Sequence, residues 1–390
     1  MTINRLLKQV REHRRFRLED VASYAHISLT RLEAFEAGER DPSHRQIQRL
    51  ADVYGLPSYL LASRALPNLP ETLLDFRRKD PGPAHLTPPG MRRIWAAEKA
   101  SSFANQLADE LKYAPPEWSR SVPSGDPTPA LANKLRSFFD EWLAARNSRL
   151  GFTGTPEQVF LGGFRTFLEV QGTIVNTNNA PSDDFLGFYI HPDDGLPLTF
   201  VNRSISSRKA QLFTAVHEYA HSLLDAPGVS NPFLIANAVE RKCNHFAAEF
   251  LAPMASFRPL VEQQSRTVLS NPTALVRAVA GQSLLSQHAT AIRLVEGKYL
   301  SQEQLRAWER AVIKTPNLEK QEEAEAAGEG HGVPHAKRIA EVGYLPTYLS
   351  KLAIERRLID SLDVQAGLSL SEGLQESAFS LVARRFDVAR

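Results

Sequence analysis

The spacing of apolar side chains changes along the chain, from a helical period to a strand period and back. Residues 5–64 repeat apolar positions every three or four residues, which predicts a string of short helices. Gly38 stands where the third helix should end, and Asp41-Pro42-Ser43 is typical of a turn followed by a helix start. Prolines then become frequent, so we expect a proline-rich connector over 65–130 that contains one helix, near 91–113.

The middle of the chain mixes helical and strand-like patterns. Residues 131–147 keep a helical period. Apolar, β-branched and aromatic residues then predict three strands, 167–178, 185–191 and 197–202, with Asp194-Gly195 as a turn between the last two. Two helical segments follow, near 207–225 and 234–252. This part is therefore expected to be α+β, with a small sheet beside helices.

The remainder of the chain is predicted to be helical. We expect a helical bundle over 257–312, a linker over 313–336 and a C-terminal helical region over 337–390. The linker is rich in Glu, Ala and Gly and cannot bury much surface. Residues 275–298 repeat the apolar spacing of the N-terminal helices, which we interpret as a packed three-helix unit and not as a second DNA reader.

Composition excludes several classes of protein. Forty-six Lys and Arg face forty-four Asp and Glu, and a net charge of +2 excludes a strongly basic nucleic-acid coat. Cys243 is the one cysteine, so there is no disulfide framework. No run reaches the roughly twenty apolar residues of a membrane span, and the first residues are not those of a secretory signal. We expect a cytoplasmic protein without a membrane partner.

The strongest chemical signal is the sequence His217-Glu218-Tyr219-Ala220-His221. Its apolar flanks contain no Gly or Pro, which favours a helix, and positions four apart lie on the same face of a helix. Both imidazoles could then bind one Zn²⁺, while Glu218 takes the proton from the attacking water. The alternative is a chance match on an amphipathic helix, which is rare in a chain with eleven histidines.

A catalytic zinc ion normally has a third protein ligand. Glu240 is favoured because it lies nineteen positions after His221, which is enough for a turn and a returning helix. Asn244, one turn further, could hydrogen-bond a ligand from behind. Asp225 is too close in the chain to reach back to the metal comfortably. Glu249 is the second choice for this ligand, and the alternative interpretation is that it is a solvent-facing helix residue. His245 is also a candidate, but we interpret it as a histidine on the helix surface.

The HEYAH motif, together with ERKCNHFAAEFLAP over 240–253, resembles the ImmA/IrrE family of bacterial metallopeptidases. The resemblance covers roughly 150–256. It implies a zincin-like metallopeptidase domain, which we place at 131–256, with Glu240 as the third zinc ligand. It also implies a protein substrate, a helix-turn-helix repressor that the enzyme cleaves.

Residues 1–64 resemble the Cro/repressor type of helix-turn-helix domain, through VASYAHISLTRLEAFEAGERDPS over 21–43. The resemblance implies DNA binding, with Thr30 and Arg31 at the start of the recognition helix. A basic cluster is suited to phosphates: Arg14, Arg15 and Arg17. Leu18 stands where many members have a DNA-contacting glutamine, and His26 where the turn usually has glycine. Acidic residues also lie on and after the recognition helix. A helical domain that contacts other proteins is therefore the alternative to DNA binding.

The predicted fold is therefore multidomain: an all-α N-terminal domain, a central α+β metallopeptidase domain with a small sheet, and an all-α C-terminal region. Three functions are compatible with it. The first is a zinc endopeptidase that regulates transcription by cutting a repressor. The second is a DNA-binding regulator whose peptidase-like domain senses a ligand or partner without proteolysis. The third is a toxin–antitoxin or phage-type module that positions the protease on DNA.

The strand at 197–202 directly precedes the HEYAH helix, so we expect it to be the edge of the sheet nearest the metal. An extended substrate could pair with such an edge through backbone hydrogen bonds.

Overall fold

The computed structural model describes residues 2–63, 86–192, 195–205, 207–226, 228–230, 238–313 and 333–389. The chain divides into two compact units. The N-terminal unit consists of Met1–Glu98 and Ala180–Phe185, and the larger unit of Lys99–Asn179 and Leu186–Arg390. The Asp194 half of the expected turn and most of the expected linker, 314–332, lie outside the described residues. The six segments drawn from the sequence, with the boundaries between them, stay predictions.

The N-terminal unit is helical. Its helices are α1 (Ile3–His13), α2 (Leu18–Tyr24), α3 (Leu29–Ala37), α4 (His44–Tyr54), α5 (Ser58–Ala62) and the first part of α6 (Pro88–Leu111). Gly38 ends α3 at φ 80°, a left-handed conformation that glycine adopts without strain. Ser43 caps α4 in a capping box with Gln46. His26, in the turn between α2 and α3, has φ 53°, the conformation for which related turns use glycine.

The indole of Trp95 on α6 is a packing centre of the N-terminal unit. The Arg14 guanidinium lies 4.0 Å from the centroid of the Trp95 ring, and the Phe16 ring lies 6.3 Å away. Gly55, which ends α4, has no room for a Cβ because the same indole occupies that space. Helix α6 is thus held against the ends of α1 and α4.

The larger unit combines a small sheet with many helices. Its first half contains α7 (Pro129–Leu150), α8 (Pro156–Val170), β1 (Ile174–Asn178), β2 (Gly187–Ile190), β3 (Leu198–Asn202), α9 (Arg208–Leu223), β4 (Gly228–Ser230) and α10 (Ala238–Leu251). Its second half contains α11 (Met254–Glu262), α12 (Arg266–Leu269), α13 (Pro272–Gln282), α14 (Gln287–Glu296), α15 (Gln302–Ile313), α16 (Pro334–Val342), α17 (Tyr344–Glu355), α18 (Ser361–Leu368) and α19 (Glu372–Ala389). No helix in the described ranges is long and apolar enough to cross a membrane.

The sheet has the strand order β1-β3-β2-β4. Strand β3 pairs in parallel with β1, Ile174 opposite Leu198, and antiparallel with β2, Phe188 opposite Phe200. The expectation that 197–202 forms an edge strand is therefore wrong. All five residues of β3 are buried, and the neighbouring strands pair with both sides of its backbone. The edge of the sheet next to β2 is formed by β4, which follows α9 in the chain. The order of strands along the chain therefore does not give their order in the sheet.

The start of the first predicted strand is also wrong, since residues 167–170 belong to α8. A capping box between Thr155 and Gln158 begins this helix, with Pro156 at its first position. Phe160, Phe164, Phe167 and Leu168 then recur at helical spacing and are all buried. Gly172, with φ 100°, marks the turn, and the strand proper begins at Ile174.

An aromatic cluster joins α7, α8 and α10. The Phe139 ring meets the rings of Phe160, Phe164 and Phe167 edge-on, at centroid distances of 4.9, 5.6 and 5.4 Å. Phe250 from α10 packs 5.4 Å from Phe164. Each buried phenylalanine contributes roughly 1.5–3 kcal/mol, so this cluster fixes α10 firmly against the two preceding helices.

Candidate metal centre

Helix α9 carries the HEYAH motif. The Ser207 side chain accepts a hydrogen bond from the Ala210 N–H and caps the helix. His217, Glu218 and His221 are almost fully buried, with exposed fractions of 0%, 0% and 1%. Buried histidines and a buried glutamate need partners, because an unpaired polar group in the interior is costly.

The potential metal-binding atoms of His217, His221 and Glu240 lie close together. His217 Nε2 lies 3.1 Å from His221 Nε2 and 3.1 Å from Glu240 Oε2, and His221 Nε2 lies 3.3 Å from Glu240 Oε1. Ligand atoms about 2.0–2.1 Å from a tetrahedral zinc ion are themselves about 3.3 Å apart. The donor set and its separations therefore fit zinc. Within the described part of the chain, no other three such side chains cluster in this way.

The charges of the cluster also suit a cation. Burial lowers the pKa of His217, although hydrogen bonds with Glu240 and Asn244 act in the opposite direction. Burial alone would raise the pKa of Glu240, but its hydrogen bonds with His217 and His221 outweigh this and bring the pKa down to about 2. Near neutral pH the cluster thus offers a neutral His217 and a carboxylate, which are the forms that bind metal.

Groups behind the cluster orient the imidazoles. His221 Nδ1 lies 3.2 Å from the carbonyl oxygen of Ala226, so an Nδ1–H donated there leaves Nε2 with its lone pair towards the cluster. Asn244 on α10 lies close enough to His217 to act on the pKa of its imidazole.

Glu218 faces strand β2 at Gly187. A Cβ added to Gly187 would lie 2.5 Å from Glu218 Oε1 and 2.7 Å from Thr214 Cγ2. The backbone of β2 therefore approaches the carboxylate as closely as a residue without a side chain allows. Gly187 is not among the site residues predicted from the sequence. Its signal is a glycine inside an otherwise apolar strand, which often marks a close approach.

The other ligand candidates lie elsewhere. Asp225 is exposed and its Oδ1 lies 2.6 Å from His191 Nδ1. Glu249 is buried and paired with Arg293, and it accepts hydrogen bonds from Asn133 and the Met254 N–H at 3.0 and 3.1 Å. The expectation of a metal ligand or a solvent-facing residue at Glu249 is therefore wrong, because a buried arginine already takes its charge. His245 is exposed, as expected for a surface histidine.

The residues predicted to contact DNA divide into two groups. Thr30 and Arg31 are exposed at the start of α3, and Arg15 is also exposed. Arg17 is exposed too, with its Nε 3.0 Å from Asp20 Oδ2. Arg14 instead lies against Trp95, and burial lowers the pKa of its guanidinium.

The short helices of the N-terminal unit and the buried His-His-Glu cluster of the larger unit define the class of protein. It is a helix-turn-helix domain joined to a metallopeptidase-like domain. Residues 4–63 match the family described as a helix-turn-helix domain, and residues 169–280 match the IrrE N-terminal-like domain. The chain therefore carries an IrrE N-terminal-like domain in its middle part and a helix-turn-helix domain at its N-terminus. This domain pair is that of a transcription regulator of the IrrE type.

A relative from Deinococcus deserti, the HTH-type transcriptional regulator DdrOP3, is 32% identical to the chain over 95 residues. The match covers 23% of this chain and 74% of the relative. No solved structure matches the chain significantly.

Proposed function

We propose that this protein is a zinc-dependent endopeptidase that regulates transcription by cleaving a repressor protein. The observation that carries the proposal is the buried cluster of His217, His221 and Glu240, whose donor separations of 3.1, 3.1 and 3.3 Å suit a tetrahedral ion. Glu218 beside it supports an enzyme, because a domain that only senses a ligand has no need of a general base.

The chemistry follows from the side chains. Zinc bound by His217, His221 and Glu240 would polarise the scissile carbonyl and lower the pKa of the attacking water. Glu218 would accept the proton of that water and then deliver it to the leaving amine nitrogen. Burial strengthens each of these interactions, because few water molecules compete for the carboxylate. The side chain of Asn244 and the carbonyl of Ala226 would keep the imidazoles in their binding orientation.

The substrate class comes from the family resemblance and from the N-terminal domain. The family resemblance implies a helix-turn-helix repressor as the target. A helix-turn-helix domain on the protease itself would bring it to the DNA where such a repressor is bound. The peptide must enter as an extended segment, because the scissile bond has to reach a buried metal.

Metal analysis of the purified full-length protein tests the centre. We expect one zinc ion per chain in the wild type and loss of stoichiometric zinc in His217→Ala and His221→Ala. His245→Ala is the matched control, since this histidine lies exposed on α10. Full retention of zinc in both His217→Ala and His221→Ala would reject the site.

A cleavage assay on a repressor encoded next to this protein tests the activity. Glu218→Gln should keep zinc and the fold but lose cleavage, because it removes the base and leaves the ligands. Cleavage at the wild-type rate by this variant would show that the assignment of the base is wrong.

A second function is a DNA-binding regulator whose peptidase-like domain does not cut. The exposed Thr30 and Arg31 on α3 favour DNA contact. Titration of the full chain with duplex DNA should then show affinity that falls steeply with salt, and Arg17→Ala should reduce the salt slope by about one. DNA binding by zinc-loaded protein that never cleaves a repressor would favour this second function.

A further inference from the structure

The loop between β1 and β2 belongs to a different unit from the strands that it joins. Residues Ala180–Phe185 are part of the N-terminal unit, whereas β1 and β2 are part of the larger unit. The chain of the metallopeptidase-like domain thus leaves its own sheet, packs among the N-terminal helices and returns at β2. A loop that only connected two strands of a sheet would not need to be held by another part of the protein.

Asp184 is the anchor. Its side chain is buried, and its Oδ1 accepts a hydrogen bond from the Thr87 N–H at 3.1 Å, while Oδ2 accepts one from the Thr87 hydroxyl at 2.5 Å. Thr87 directly precedes α6, so the carboxylate lies at the end of the helix that favours negative charge. Gly90, in the first turn of α6, leaves no space for a Cβ because Asp184 Oδ2 occupies it.

The same stretch of α6 contacts the helix-turn-helix domain. Trp95 packs on Arg14 and against Gly55, and the Arg92 guanidinium donates to the carbonyl of Asp52 at 3.4 Å. The first two turns of α6 therefore contact both the β1–β2 loop and the C-terminal ends of α1 and α4 in the helix-turn-helix domain.

The other end of the loop leads directly to the proposed base. Gly187 is three residues after Asp184, a distance of about 10 Å along an extended chain. Phe185 lies between them and is fully buried, which restricts the movement of this short segment. Gly187 in turn touches the carboxylate of Glu218.

We infer that Asp184 is a positioning residue, and that the β1–β2 loop couples the state of the helix-turn-helix domain to the placement of Gly187 and Glu218. The inference rests on the proposed function of the metal centre. Coupling between two sites is reciprocal, so metal binding must also change the local stability of α6. This reciprocity allows a test without a known operator or substrate.

The test is amide hydrogen exchange of the full-length protein, measured by mass spectrometry in the zinc-free and zinc-loaded forms. In the wild type, zinc should slow exchange in residues 186–190 and also, at least about threefold, in residues 87–95. In Asp184→Ala the effect of zinc on 186–190 should persist, while its effect on 87–95 should vanish. Asp183→Ala is the matched control, because this neighbouring carboxylate is exposed.

A second variant approaches the anchor from the helix side. Gly90→Ala places a methyl group where Asp184 Oδ2 lies, and alanine is the better helix former, so loss of coupling in this variant does not come from a melted α6. We expect the same loss as in Asp184→Ala.

The outcomes separate the inference from the proposed function. If wild-type protein takes up no zinc, the metal centre fails and the inference fails with it. If zinc binds and protects 186–190 but leaves 87–95 unchanged, the coupling is overturned while the metal centre stands. Equal protection of 87–95 in wild type, Asp184→Ala and Gly90→Ala also overturns it.

Discussion

Replacing Gly187 by alanine should displace the proposed base without touching the metal ligands. The added Cβ would lie 2.5 Å from Glu218 Oε1, 2.7 Å from Thr214 Cγ2 and 2.9 Å from the carbonyl oxygen of Phe200. Ordinary carbon–oxygen contacts begin near 3.4 Å, and values from 3.0 Å are tight. The carboxylate must therefore retreat by about 0.5–0.9 Å, because the backbone of the inner strand β3 cannot yield as easily as a side chain.

The magnitude of the effect follows from this displacement. A misplacement of about 1 Å can cost about a hundredfold in rate, so we expect Gly187→Ala to lower kcat by roughly ten- to a hundredfold. This corresponds to about 1.4–2.7 kcal/mol of activation free energy. Overpacking should also lower the free energy of unfolding by about 1–3 kcal/mol. KM should change little, because the change is aimed at the base.

The assay combines repressor cleavage with zinc analysis and thermal unfolding of the same preparation. Gly281→Ala serves as the control, since an added Cβ at this glycine, in α13, meets nothing within 4 Å. A folded, zinc-loaded Gly187→Ala protein that cleaves at the wild-type rate would refute the placement of Glu218 against β2.

Two further predictions concern the support of helix α10. Arg293→Met removes the cation that pairs with buried Glu249 and that donates to the carbonyl of Ala252, so the free energy of unfolding should fall by about 3–5 kcal/mol in denaturant titrations; a change below about 1 kcal/mol would contradict this. Asn244→Ala should weaken zinc binding by about tenfold or more, because it removes the group behind His217. Zinc affinity should stay unchanged in His245→Ala, and an equal loss in both variants would point to a general effect on α10.

The sequence also permitted errors of a kind that only tertiary contacts could correct. Glu240 and Glu249 lie on the same helix with comparable flanks, and both were candidates for the third ligand. The structure separates them by their partners: Glu240 meets two histidines on α9, whereas Glu249 meets Arg293 on α14. Arg14 was grouped with Arg15 and Arg17 as a phosphate contact, but it packs on Trp95, far along the chain on α6.

What the sequence by itself determined about this protein is local. His217 and His221 share a face because four residues make about one helical turn, and Gly38 and Ser43 end and begin helices through bonds within a few residues. The family motifs fall in such segments. Only the tertiary structure decided that β3 is an inner strand, that Gly187 touches Glu218, and that Asp184 anchors its loop at Thr87. Each of these contacts joins segments that are distant in the chain. The spacing of apolar residues within one segment does not specify which distant segment will pack against it.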